Sequence, residues 1–217
     1  MIISIASTKG GVGKSTLSIH LAHFLTKKNK TLLMDADKQE TTLTWAGWRA
    51  EEEIQPYIDT QKLPPQGIKQ VLEAREKQYQ YIIVDVGGSD SSVLRYVLAS
   101  SDIVIVPTSL SAVDRIATLD MMALIDEAKA YNEKLKTFIA FNKLSTATKE
   151  IHSIPEYQSD FPTWAYWLNN KIYERIAYRR SYATGRTAYD KIEEKIDPKA
   201  ITEMNHLWQE ILHDIQK

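Results

Sequence analysis

Eight consecutive residues near the N-terminus, Lys9-Gly10-Gly11-Val12-Gly13-Lys14-Ser15-Thr16, combine the residue types that a polyphosphate requires. Glycines let backbone N–H groups turn inward onto phosphate oxygens, and a helix opening near Lys14 adds the positive end of its dipole. Lys14 offers a point charge to the β- and γ-phosphates, the Ser15 hydroxyl is a candidate Mg²⁺ ligand, and Thr16 can reach the α-phosphate. The usual spacing is G-x-x-x-x-G-K-[ST]; here Thr8 stands where the first glycine is expected, followed by Lys9 and the Gly10-Gly11 pair. A glycine-rich turn without chemistry is the competing reading. The run follows a strand-like segment and opens a helical one, which favours phosphate, so ATP with Mg²⁺ is the expected ligand.

Carboxylates could complete such a site. Asp35-Ala36-Asp37 follows one apolar run, and Asp85 ends another, Tyr81-Ile82-Ile83-Val84-Asp85. A water attacking a γ-phosphate needs orientation more than a strong base, because the transition state is loose. Mg²⁺ keeps several waters and takes one or two carboxylates besides phosphate oxygens. Asp85 is therefore expected to hold it through water, with Asp35 supporting the loop or the metal's water shell. A strand-end aspartate can otherwise simply start a turn. Asn142 has an amide able to donate to and accept from a base edge, or it closes a strand. Asp114 reads as a helix cap, with a ribose contact as the alternative.

The elements that must position these residues are short apolar runs alternating with helical patterns. Strands are predicted over 2–6, 31–35, 81–85, 102–107 and 137–142, with a weaker one over 163–168. Helices are predicted over 15–26, 41–53, 67–79, 91–100, 113–131, 175–184 and 198–216. Residues 54–66 contain Pro56, Pro64 and Pro65 and read as a loop with room for a short strand. This alternation implies an α/β fold, a mostly parallel twisted sheet with helices on both faces. Ligands of such sheets lie beyond the carboxyl ends of the strands, where Asp35, Asp85, Pro107 and Asn142 all fall.

The loop from Lys9 to Thr16 resembles the deviant Walker A box of the ParA/MinD family of ATPases. Asp35-Ala36-Asp37 is similar to that family's D-x-D box, and Asp85 to its Walker B aspartate. The segment from Pro107-Thr108 to Asp114 and the strand-ending Asn142 fit its pattern, as do Arg175, Tyr178 and Gly185 in an R-x-x-Y motif with a following glycine. The likeness covers nearly the whole chain and implies a P-loop fold. It implies that Lys9 crosses a dimer interface to the partner's ATP, that Asp37 positions the hydrolytic water, and that Asn142 lies at adenine. Arg175 is then expected at the nucleotide or the dimer interface. Two departures stand out: Lys38-Gln39 where Pro-Gln is common, and the run Asp85-Val86-Gly87-Gly88-Ser89-Asp90, whose Asp90 places a further negative charge nearby.

With 217 residues, 27 basic and 28 acidic, the chain fits one domain over 1–217, and its overall charge suggests no polyanionic partner. The absence of cysteine excludes disulfides, thiolate zinc sites and cysteine-ligated iron–sulfur clusters in this sequence. No signal peptide or spanning run is evident, so a complete cytoplasmic protein without a membrane partner is expected. Local charge is another matter. Between Asn169 and Tyr189 lie Lys171, Arg175, Arg179, Arg180 and Arg186 against the single acid Glu174, with tyrosines interleaved. The competing readings are a solvated helix face and a nucleic-acid surface. The family resemblance implies nonspecific DNA binding in this region, with Arg179, Arg180, Arg186 and Lys199 as candidates, and a nucleoid-associated location. The apolar stripe Ile201, Met204, Leu207, Trp208, Ile211, Leu212, Ile215 is read as core rather than a membrane-binding face, since its polar side carries Glu203, Glu210 and Asp214 with only Lys217 positive.

The family implies a slow ATPase forming an ATP-dependent homodimer, binding DNA and stimulated by a ParB-like centromere-binding partner. A MinD/McdA-like positioning ATPase with a protein cargo is the alternative. A P-loop metabolic ligase is a third, disfavoured by Lys9.

Overall fold

The computed structural model describes residues 1–88, 91–146, 149–193 and 195–215; Asp90 and Lys217, singled out above, lie outside them. In chain order the elements are β1 (Ile2–Ile5), α1 (Lys14–Thr26), β2 (Thr31–Ala36), α2 (Thr41–Glu51), β3 (Asp59–Lys62), α3 (Ile68–Glu76), β4 (Tyr81–Val86) and α4 (Ser92–Ser100). There follow β5 (Ile103–Thr108), α5 (Ala112–Lys129), β6 (Lys136–Phe141), a 3-10 turn (Lys149–Ser153), α6 (Ile154–Gln158), β7 (Tyr166–Trp167), α7 (Ile176–Tyr182) and α8 (Pro198–Ile215). The seven strands form one sheet in the order β3-β2-β4-β1-β5-β6-β7. Every pairing is parallel, as the alternation of elements implied.

Strand order and handedness together decide which helix covers which face. Parallel crossovers are right-handed, so steps in opposite directions along the sheet put their helices on opposite faces. The steps from β1 to β2 and from β2 to β3 place α1 and α2 on one face, where α7 and α8 also pack. The steps through α3, α4, α5 and α6 run the other way and cover the second face. Strand side chains alternate between the two cores: Ile82, Val84 and Val86 point to the second, and Ile83 to the first. The same period of two turns Asp35 and Asp85 toward α1 and α2.

The predicted 163–168 strand shrinks to Tyr166–Trp167 at the sheet edge, hydrogen-bonded to β6 alone. The short strand admitted within 54–66 exists as β3, at the opposite edge. The helical stretch from Lys149 to Gln158 carries too little periodicity to have been anticipated. Helix α8 buries Met204, Leu207, Trp208 and Ile211, so its apolar stripe is core.

A polar clasp joins α1, α2 and the segment after α7. The buried Arg49 guanidinium donates to the Gly185 carbonyl (3.0 Å) and to Asp190 (2.9 Å). Thr187 Oγ1 lies 2.8 Å from His23 Nδ1. Gly185 has φ +63°, and an added Cβ would collide with the backbone of Arg49, so this glycine is required by both conformation and contact.

Candidate nucleotide-binding site

The loop after β1 turns into α1 through Gly13, whose φ of 98° is left-handed. A Cβ there would also overlap the Asn142 amide. No side chain caps α1, which leaves its first N–H groups for a ligand. Gly10, Gly11, Gly13, Lys14, Ser15 and Thr16 form one wall of a cavity of about 530 Å³, and Asp37, Lys38, Gln39, Thr41, Gly88 and Lys143 complete its lining. This is the concave, N–H-rich, cationic site that a polyphosphate needs.

Beneath it Lys14 is buried and donates from Nζ to the Lys9 carbonyl (2.9 Å). Burial lowers its pKa, opposed by Asp85 and Asp37. Asp85 is 1 % exposed. Ser18 Oγ donates to its Oδ1 (3.1 Å), Ser15 also hydrogen bonds it, and its Oδ2 has no partner. Burial pushes its carboxyl up to about 7, with the Asp35 charge adding to the rise and Ser15, Ser18 and Lys14 opposing it. A buried carboxylate oxygen without a partner beside a serine hydroxyl fits a Mg²⁺ ion. No group of three acidic or imidazole residues that could cage a metal occurs among the described residues. A cation here would therefore rely on phosphate oxygens and water, as Mg²⁺ does.

Asp35 takes the first of the two roles expected of it, support for the loop. Its Oδ1 accepts from the Asp37 N–H (2.9 Å), and its Oδ2 accepts from the Thr42 N–H (2.8 Å), Thr42 Oγ1 (2.7 Å) and the Leu43 N–H (3.1 Å). Both oxygens are occupied in holding the start of α2 and the 35–42 loop, which is support for the loop rather than a place in a metal's water shell. Asp37 stands in the cavity wall, its carboxylate packed against Gly87. Asp114 is not the cap of α5: Ser111 is, accepting from the Asp114 N–H (3.1 Å). The Asp114 carboxylate instead receives Lys9 Nζ and Ser109 Oγ. Burial opposes its ionisation, but Lys9, Ser109 and Ser111 outweigh that and hold it below the ordinary carboxylate range. Lys9 thus points onto α5 and is absent from the lining of its own phosphate cavity.

A second cavity, of about 290 Å³, adjoins the first and shares Thr16 and Lys143 with it. Asn142, Tyr173, Tyr178, Arg179 and Tyr182 are among its walls, a setting suited to a flat ring. Asn142 Nδ2 donates to the Val12 carbonyl (2.7 Å), so this amide braces the phosphate loop and leaves its oxygen for another donor. Arg175 lines the cavity, but its guanidinium is bound by Glu203 of α8, which also accepts from Tyr178 Oη (3.3 Å). The R-x-x-Y residues therefore anchor α7 to α8. Lys143, which sequence reasoning passed over, reaches back to donate to the Gly11 carbonyl (2.5 Å). Its position directly after a strand-ending asparagine was the available signal.

The basic segment is less basic in three dimensions than along the chain. Arg180 lies 3.8 Å from Glu193, and Arg186 3.9 Å from Glu52. Arg179 turns toward the second cavity, while Lys199, at the start of α8, is exposed. Glu52 comes from a distant part of the sequence and Glu193 from just past the segment, so a count over 169–189 includes neither.

Fold and site together define a P-loop nucleotide-binding domain with a lysine ahead of its glycines. Residues 3–203 match the family described as the CobQ/CobB/MinD/ParA nucleotide binding domain, and the chain belongs to that family. Among curated proteins, it is 25% identical over 204 residues to "Maintenance of carboxysome distribution protein A" of Halothiobacillus neapolitanus, covering 88% of this chain and 93% of the relative. It is also 25% identical over 186 residues to "Protein ParA" of Rhizobium radiobacter, covering 85% and 83%. The fold is shared with a protein described as a plasmid partition protein of Borrelia burgdorferi B31, solved with AMPPNP bound, at a TM-score of 0.71, 20% identity and 98% coverage of each chain.

Proposed function

We propose that the chain is a nucleotide-switched ATPase of the ParA type. Two copies close over two Mg·ATP, the dimer binds DNA without sequence preference, and a ParB-like partner stimulates hydrolysis. One observation carries this reading: Lys9 leaves its own phosphate cavity and stands half-exposed on α5, beside the exposed Val113 and Ile116. A lysine in that place is available to a second subunit. Ser15 and Asp85 would hold Mg²⁺, Lys14 and the loop N–H groups the phosphates, and Asp37 the attacking water. Bound Mg²⁺ screens phosphate charge; the chain supplies orientation. Arg179, Arg180, Arg186 and Lys199 are the DNA candidates, within a cytoplasmic, nucleoid-associated role. Among the described residues no helix is long and apolar enough to cross a membrane.

Light scattering with ATP, with ADP and without nucleotide tests the switch. The wild type is expected to dimerise with ATP alone, and Lys9→Ala to remain monomeric; an ATP dimer formed by Lys9→Ala overturns the shared site. DNA retention measured over several salt concentrations tests the cargo. Neutralising ~4 phosphates gives a log–log slope near −3.6. Loss of retention on Arg179→Glu with Arg180→Glu supports the DNA reading. Retention unchanged by that double variant removes it. A protein cargo is the second reading, favoured by the carboxysome-distribution relative, which spans as much of the chain as the ParA relative does.

A further inference from the structure

The residue after Asp37 is a lysine held at the apex of a tight turn. The Gln39 N–H donates to Asp37 Oδ1 (3.0 Å) and the Glu40 N–H to the Asp37 carbonyl (3.2 Å). Glu40 takes a left-handed φ of 52° and pairs with Lys62 on β3, which fixes the far end of the turn. Lys38 thereby lines the phosphate cavity together with Asp37, Lys14 and Ser15.

The other two lysines lining this cavity hold backbone carbonyls of the phosphate loop, Lys14 that of Lys9 and Lys143 that of Gly11. Lys38 pairs with no carboxylate among the described residues. A lysine serving only solubility has no reason to stand in the wall of an anion site, one residue from the group that aligns the water.

We propose that Lys38 supplies, from within the same chain, the cation that stabilises the γ-phosphoryl group during hydrolysis. This rests on the ATPase reading above. As the water oxygen bonds to phosphorus and the bond from phosphorus to the β–γ bridging oxygen breaks, negative charge spreads over the γ-phosphoryl oxygens and the departing ADP. The water proton leaves with phosphate, and Lys38 donates a hydrogen bond without losing its own proton. Such a contact strengthens in the transition state, so it raises kcat more than affinity.

The test is Mg·ATP hydrolysis by the full chain without partner, alongside binding of fluorescent ATP and ADP, for wild type, Lys38→Ala, Lys38→Arg and Asp37→Ala. Lys38→Ala is expected to lose about tenfold or more in kcat. Its nucleotide affinities should stay within about threefold, and Lys38→Arg should recover most of the rate. Two results overturn the proposal: an unchanged kcat, or equal loss of ATP and ADP affinity with kcat intact, which is a ground-state phosphate contact only. No turnover by the wild type alone overturns it too, because a cation supplied by the same chain needs none from a partner. ATP-dependent dimerisation would then still stand or fall separately. A thermal melt shows each variant folded, as expected at an exposed position.

Discussion

At the scale of single residues, Asn142 shows how a side chain expected at the base also serves the phosphate loop. Its amide nitrogen holds the Val12 carbonyl and lies where a Cβ on residue 13 would have to go. Asn142→Ala removes a buried hydrogen bond of about 1 kcal/mol and loosens the loop. Nucleotide affinity is expected to fall about tenfold, the same for ATP and ADP, with a small drop in melting temperature; titration calorimetry checks it. Asn142→Asp should be worse than Asn142→Ala, since it turns an acceptor toward an acceptor. Asp37→Ala makes the opposite pattern: binding of Mg·ATP persists, while kcat falls by about 10² or more. Equal loss of binding in that variant would take Asp37 out of the water-positioning role. The phosphate loop was legible because its chemistry is local, eight residues on one turn. Which of its two expected roles Asp35 takes, and that Glu203 binds the Arg175 guanidinium, were not, because only folding brings Thr42, Leu43 and Glu203 to those groups.

At the scale of elements, the clasp between α1, α2 and the segment after α7 controls how the P-loop helix is braced. His20 Nδ1 lies 2.6 Å from the Thr16 carbonyl and must donate to it, while His20 Nε2 accepts from the Ala188 N–H (2.9 Å). The ring is therefore neutral, and a second proton would face a donor. Burial lowers its pKa to about 4, against the opposing pull of the Thr16 carbonyl and Asp190; His23, also buried, moves the same way. An unfolded histidine titrates near 6.5. Stability from His20 is complete above ~6.5 and is lost as pH falls toward about 4, at ~1.4 kcal/mol per pH unit, since the unfolded chain alone takes the proton. Asp85 acts in the opposite sense, its raised pKa giving the folded state a proton over roughly the same window. The difference between wild type and His20→Gln cancels Asp85: urea unfolding at pH 7, 6 and 5 should show the variant gaining on wild type as pH falls. Parallel profiles would show that His20 is not the titrating group. Gly185→Ala, forced against the Arg49 backbone, should cost at least ~2 kcal/mol in the same assay. Strands with near-continuous apolar runs and helices with long stripes were readable in advance. The strand over 163–168 was read too long, and the segment from Lys149 to Gln158 was missed, because neither is long enough to express a period.

At the scale of the whole molecule, α5 carries exposed apolar residues beside the phosphate loop. Val113 and Ile116 are 62 % and 61 % exposed, and Leu119 follows on the same face at 37 %. Thr8 Oγ1 donates to the Ala117 carbonyl (3.0 Å), so the phosphate loop and this apolar face form one surface, with the Lys9–Asp114 pair at its edge. A second copy approaching there would exchange the part-buried Lys9–Asp114 pair of each subunit for a Lys9–phosphate contact and would cover the apolar residues in the same movement. ATP would drive that exchange more strongly than ADP, because its γ-phosphate offers the greater charge. Ile116→Glu places a carboxylate in that face without touching the nucleotide cavity. Monomer stability should stay within about 0.5 kcal/mol, as for other exposed positions, and Mg·ATP affinity of the monomer should be unchanged. The ATP-dependent dimer should be lost, since closing it would bury an unpaired charge from each subunit. Sedimentation at increasing protein concentration with Mg·ATP reads the result directly. A wild-type dimerisation constant in Ile116→Glu would place the interface elsewhere, and Lys9 would then need another route to a phosphate.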